Sequence, residues 1–223
     1  MNQLILMRHG QSSWNMHHRF TGWVDVPLTA KGISEAQEAS LVLNKYSIDR
    51  VFVSTLIRSQ MSALIALSNQ SEKIPVIQHE AQPQKDWSEC YDEEAKKNII
   101  PVHTAWELNE RYYGRLQGLN KQETINRYGH DLVQTWRRSY QGAPPAGESL
   151  EDTAKRTIPF FQTVIEPFLQ QNQTIFICAH GNSLRALTMH LEGISELQII
   201  ELEIETGRPI IYNYQDGIYN KIV

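Results

Sequence analysis

The feature that most constrains this chain is its opening run, Leu4-Ile5-Leu6-Met7-Arg8-His9-Gly10. Four consecutive apolar residues with a β-branched member read as a short buried strand, and that strand stops at an arginine, a histidine and a glycine. Ligands of α/β proteins bind just outside the carboxyl ends of parallel strands, so Arg8 and His9 stand where a ligand is handled. Taken alone, the triplet fits equally well a turn with a surface arginine and a satisfied histidine. A second stretch tips the balance. Thr174-Ile175-Phe176-Ile177-Cys178-Ala179 is another apolar, β-rich run, and it ends in His180-Gly181-Asn182. Ser183 then opens a helical pattern through Leu184, Leu187 and Leu191. Two such strands side by side would bring His9 and His180 into one pocket. With Arg8 and Arg185 nearby, that pocket favours an anion, most simply a phosphate.

Bulk properties narrow the classes further. A chain of 223 residues with 41% hydrophobic and 21% charged residues fits one α/β domain over 1–223 with a well-buried core. A net charge of −4 argues against a nucleic-acid partner, so any basic site is local, which suits a small anionic substrate. There is no apolar run of bilayer length and no charged-then-apolar leader, so no membrane partner is expected and the cytoplasm is the expected location. Cys90 and Cys178 do not make a disulfide framework, and Cys178 reads as a small core residue. No Cys/His spacing looks like a zinc site; His17 and His18 are adjacent, not helix-spaced. No metal is expected.

Along the chain, Gln11 to Leu28 is a long polar loop whose Phe20, Trp23 and Val24 argue against disorder. Thr29 is the expected N-cap of a helix to about Lys45. Arg50 to Ser54 reads as a strand, and Thr55 as the cap of a helix with Ile57, Met61, Leu64, Ile65 and Ser68 on one face. Arg58 falls in its first turn, where free amides and a guanidinium together make a phosphate site. Pro75-Val76-Ile77 reads as an edge strand. Gln82 to Asn98 is an acidic, exposed excursion, partly helical around Asp92 to Lys97. Short helices are expected over Lys121–Tyr128 and Asp131–Ser139, then a breaker cluster from Gln141 to Gly147. Ser149 caps a long helix to about Gln171, which Pro159 and Pro167 should kink or break. A brief helix over Ser195–Ile200 and closing strands at Ile204, Pro209–Tyr212 and Tyr219–Ile222 complete the reading.

The motifs in this order resemble the histidine phosphatase superfamily, and more closely its cofactor-dependent phosphoglycerate mutase branch. They are Arg8-His9-Gly10-Gln11-Ser12, Arg19-Phe20-Thr21-Gly22-Trp23, Leu108-Asn109-Glu110-Arg111-Tyr112-Tyr113-Gly114, Leu116-Gln117-Gly118-Leu119-Asn120-Lys121, Trp136-Arg137-Arg138 and His180-Gly181-Asn182-Ser183-Leu184-Arg185. They span nearly the whole chain. The resemblance implies a mostly parallel central sheet flanked by helices on both faces. It makes residues 82–98 a surface insertion, and it marks the absence of a longer excursion after Tyr140. It also implies association as a homodimer through the side of the Pro75 strand, a contact that the 82–98 excursion would either extend or block.

The resemblance implies interconversion of 3-phosphoglycerate and 2-phosphoglycerate, a step of glycolysis and gluconeogenesis, primed by 2,3-bisphosphoglycerate. His9 is then the nucleophile, because imidazole is neutral and nucleophilic near neutral pH. Arg8, Arg58 and His180 offset charge on the phosphoryl oxygens, and Glu110 carries the proton. Asn15, Thr21, Gly22, Tyr113, Lys121, Arg137, Arg138, Gly181 and Asn182 meet the substrate. The competing reading is a phosphatase of the same superfamily, in which water accepts the phosphoryl group. A binding protein without activity has no need of His9, His180 and Glu110 together. A serine hydrolase is excluded, since Gly181-Asn182-Ser183-Leu184 is followed by Arg185 where a nucleophile elbow needs glycine.

Overall fold

Seven strands and ten α-helices lie among residues 2–70, 73–78 and 92–222, which the computed structural model describes. The strands are β1 (Asn2–Arg8), β2 (Arg50–Val53), β3 (Ile74–Ile77), β4 (Ile99–Thr104), β5 (Ile175–Ala179), β6 (Pro209–Gln215) and β7 (Ile218–Lys221). The helices are α1 (Ser13–Met16), α2 (Ala30–Leu43), α3 (Ile57–Ala66), α4 (Glu93–Lys97), α5 (Lys121–Tyr128), α6 (His130–Arg138), α7 (Leu150–Phe160), α8 (Glu166–Gln170), α9 (Gly181–Glu192) and α10 (Glu196–Ile199).

One sheet takes the described strands in the order β3-β4-β2-β5-β1-β6-β7. The first five in that order pair in parallel, while β6 and β7 join antiparallel at the far edge. The pleat sends alternate side chains to opposite faces, and two cores result. Leu4, Leu6, Ile175 and Ile177 pack with Leu184 and Leu187 of α9 and with Phe161, Ile165 and Leu169. Ile5, Met7, Val51, Phe176 and Cys178 pack on the other face with Ala39 and Leu43 of α2 and Ala63 and Ala66 of α3. Strand β5 is buried along its whole length, as a central strand covered on both sides must be. A third, smaller cluster of Phe20, Leu116, Val133 and Trp136 supports the polypeptide between β4 and α7.

Most elements fall where the sequence puts them, and the exceptions have physical causes. Thr29 caps α2 by accepting from Gly32 N–H. Thr55 does not cap α3: its hydroxyl bonds Asn109 Oδ1, and the free amides at that helix start go to Ser54 Oγ and Asp25. The buried face of α3 is Arg58, Ser59, Ser62, Ala63 and Ala66, with Ile57 turned outward. Small residues let α3 lie close to the sheet, which outweighs the apolar period. Ser183 sits one turn inside α9; His180 is the N-cap, and its amide donates to Ser183 Oγ. Ile204 is not in a strand but is buried as core, and its carbonyl accepts from Arg8 Nη1. The Gln11–Leu28 loop contains the single turn α1, capped by Ser12. The two prolines after Ser149 are absorbed by a π-helical turn, Phe161–Ile165, so the chain runs on from α7 to α8.

Of the excursion expected at 82–98, Asp92 does cap the short α4, while 82–91 lie outside the described residues. Strand β3 is the sheet edge. Among the described residues no helix is long and apolar enough to cross a membrane.

Candidate active site

Strands β1 and β5 are neighbours, paired from Leu4↔Ile175 to Arg8↔Ala179. The chain leaves both at the same edge, so His9 and His180 face each other with ring centroids 4.9 Å apart. Gly10 fixes the exit from β1. A Cβ there would stand 2.2 Å from Gly32 O, so only glycine lets the loop pass this close to α2. His9 donates its Nδ1–H to Gly10 O at 2.6 Å. A carbonyl can only accept, so this bond sets the tautomer and leaves Nε2 with a free lone pair. Burial, then the charges of Arg58 and Arg8, hold the His9 pKa well below its ordinary value, and the ring is neutral at physiological pH.

His180 is fully buried, and its Nδ1 has no partner among the described residues. Its Nε2 is 2.7 Å from Ser54 Oγ, at the end of the adjacent strand β2. Burial and the charge of Arg58 keep it neutral as well.

In front of His9 opens a cavity of about 190 Å³. Arg8, His9, Asn15, Thr21, Gly22, Arg58, Glu110, Tyr113, Lys121, Arg137, Arg138, Gly181 and Asn182 line it. Every candidate from the sequence is therefore at this wall except His180, which is buried against the His9 ring. Arg19, Phe20, Arg185, Glu203 and Ile204 also line it. Arg185 was legible as a neighbour of the pocket, and Arg19-Phe20 as part of a motif. Glu203 carried no signal in the sequence. Neither did Ser54, whose place follows only from the order β2-β5-β1.

Arg58 reaches the cavity from the first turn of α3 and is held by Val24 O at 3.0 Å and Gly22 O at 2.8 Å. Gly22 can present its carbonyl there because it adopts a φ of +53°. Burial brings the Arg58 pKa down to about 10, still charged at neutral pH.

Glu110 Oε1 accepts three N–H bonds: Arg111 N at 2.7 Å, Asn182 Nδ2 at 2.7 Å and Asn182 N at 3.2 Å. Burial pushes its pKa up, but these bonds and the charges of Arg8 and Arg111 outweigh burial and pull it below the ordinary value. The resting group is a carboxylate. Among the described residues its side-chain bonds all fall on Oε1, which leaves Oε2 beside Arg8 and Gly181. The backbone of Glu110 is clamped from outside, its carbonyl accepting from Trp23 Nε1 and from Arg156 Nη2. Arg156 is itself locked by Glu148.

Arg111, which the sequence shows only as part of a motif, is 1% exposed and donates to Tyr113 Oη and Arg137 O. For Tyr113, burial raises the pKa, but the Arg111 charge leads the opposing influences and the net direction is down.

Two neutral histidines, an aligned carboxylate and a ring of guanidinium groups at the carboxyl edge of a parallel sheet define a site for moving a phosphoryl group. The chain matches the family model of the histidine phosphatase superfamily (branch 1) over residues 4–93 and 88–220. It belongs to that superfamily. The 2,3-bisphosphoglycerate-dependent phosphoglycerate mutase of Protochlamydia amoebophila (strain UWE25) is 51% identical over 99% of this chain and 99% of its own length. The enzyme of the same name from Chlamydia muridarum (strain MoPn / Nigg) is 50% identical over 99% and 97%. Among solved structures, Bacillus stearothermophilus YhfR superposes with a TM-score of 0.79 at 20% identity, over 100% of this chain and 96% of that one. The alpha-ribazole phosphatase of Shigella flexneri gives 0.76 at 23%, over 99% and 95%. These two likenesses bear on the fold alone.

Proposed function

We propose that this protein interconverts 3-phosphoglycerate and 2-phosphoglycerate as a 2,3-bisphosphoglycerate-dependent mutase. The observation that carries the reading is one cavity lined by His9, Arg8 and Arg58 and also by Lys121, Arg137 and Arg138, more cations than a single phosphate needs. Half-identity over the full length with mutases of that name supports it. The donor set also fits a bisphosphate, since Arg8 Nε and Thr21 Oγ1 are buried with no protein partner among the described residues.

His9 Nε2 attacks phosphorus and carries the phosphoryl group. Arg8 and Arg58 hold its oxygens and offset the charge that spreads over them in transfer. His180, buried beside His9 with its Nε2 against Ser54 Oγ, offers its unpartnered Nδ1 to the same oxygens. Bound 2,3-bisphosphoglycerate supplies the phosphoryl group that primes His9. Glu110 takes the proton of the attacking substrate hydroxyl as His9 gives up the phosphoryl group. It returns the proton to the leaving oxygen when His9 accepts a phosphoryl group from the other position. Lys121, Arg137, Arg138, Tyr113, Asn182, Gly181, Asn15, Thr21 and Gly22 bind the carboxylate and second phosphate. In this reading the protein is cytoplasmic and pairs with a second copy along β3, whose Ile74 is exposed.

The test is primer dependence. Isomerisation of 3-phosphoglycerate should be very slow in primer-free substrate and rise to a plateau with catalytic 2,3-bisphosphoglycerate, unchanged by a chelator. Activity that is independent of primer and lost to chelation would contradict the reading.

A further inference from the structure

The mouth of the cavity carries an acid for which the proposed chemistry has no use. Glu203 lies between α10 and β6, and both of its carboxylate oxygens face arginines. Oε1 accepts from Arg138 Nη2, and Oε2 stands 3.8 Å from Arg185 Nη2. The two arginines are held differently. Arg185 donates to Leu202 O at 2.7 Å and to Asn182 Oδ1 at 3.4 Å, and its side chain is 11% exposed. Arg138 has only a long bond to Ile200 O, at 3.4 Å, besides its pairing with Glu203. That count covers the described residues. The Glu203 side chain is 63% exposed and so can turn into water at little cost.

We propose that Glu203 sets ligand affinity by exchange: its carboxylate occupies Arg138 until an anionic group of the ligand displaces it. The proposal rests on the phosphoglycerate reading above. Two anions then compete for one guanidinium fork, and the far end of a bisphosphate is held less tightly than an unopposed arginine would hold it. The end beside His9 keeps its full grip, because the Arg58 guanidinium is held by the carbonyls of Val24 and Gly22 and no carboxylate bonds it among the described residues. A ligand that presents first one phosphoryl position and then the other to His9 must be released one end at a time. A weakened grip at the Arg138 end serves that exchange.

The experiment is a calorimetric titration with 2,3-bisphosphoglycerate of four full-length proteins. Each carries His9→Ala so that no phosphoryl group moves: the His9→Ala reference, and the same chain with Glu203→Gln, with Arg138→Ala, or with both. Glu203→Gln should tighten binding about two- to fivefold, the range of an exposed ion pair. In the Arg138→Ala background, where only the 3.8 Å pairing with Arg185 remains, it should tighten binding clearly less. Unchanged or weaker binding with Glu203→Gln overturns the proposal. So does equal tightening in both backgrounds, because the carboxylate would then act through the general field of the pocket and not through Arg138. A reference that binds no bisphosphate overturns it too. Failure of the phosphoglycerate reading is seen separately, as wild-type protein without primer-dependent isomerisation.

Discussion

Replacing His9 by alanine is expected to remove turnover by on the order of 10⁴- to 10⁶-fold, the scale on which enzymes lose a covalent nucleophile. After incubation with 2,3-bisphosphoglycerate, the variant should yield no acid-labile phosphate, whereas the wild-type protein should yield about one group per chain. The structure favours His9 over His180 for this role. His9 lines the cavity and has its Nε2 free, while His180 is not among the lining residues and has its Nε2 against Ser54 Oγ. Its neutrality also matters: a protonated ring has no lone pair to offer, and the pKa held down by burial and two arginines avoids that state. The variant should stay folded, since it removes a buried polar ring without orphaning a charge, and thermal unfolding checks this. A phosphoenzyme recovered from His9→Ala would overturn the assignment.

Glu110→Gln is expected to lower kcat by on the order of 10²- to 10⁴-fold, the worth of a positioned acid–base group, with a small change in KM. The amide can keep its oxygen under Arg111 N, Asn182 N and Asn182 Nδ2 and place its NH₂ where Oε2 stood, so shape survives and proton exchange does not. Steady-state kinetics separates the two roles. Equal loss in kcat and in substrate binding would make Glu110 a structural hydrogen-bond partner instead.

Much of this site is legible in the sequence because its two halves are local. A buried strand followed by His-Gly can be read at Leu4–Gly10 and at Thr174–Gly181, and side-by-side placement of the two strands puts both histidines at one edge. What could not be read is what depends on distant pairing. Ser54 meets His180 across 126 positions, and nothing around Ser54 announces that β2 borders β5. Glu203 lies 65 positions from Arg138 in a segment that looks like ordinary acidic surface. The error at α3 is of another kind: its apolar period points to Ile57, but close packing on the sheet selects the small residues beside Arg58. Thr55 misled for a similar reason, since a side chain from another loop, Asn109, competes for its hydroxyl. Residues such as Lys121, Arg137 and Arg138 are surface charges by composition, and only the resemblance brought them to the pocket.

The most direct test of the account compares two rates in the wild-type protein: isomerisation of 3-phosphoglycerate and release of inorganic phosphate from 2,3-bisphosphoglycerate. A mutase must hold the bisphosphate by both ends while keeping water from His9. Isomerisation should therefore be much the faster reaction, and replacing Arg137 and Arg138 by alanine should shift the ratio towards release. If release is the faster reaction in the wild-type protein, the phosphatase reading replaces the mutase.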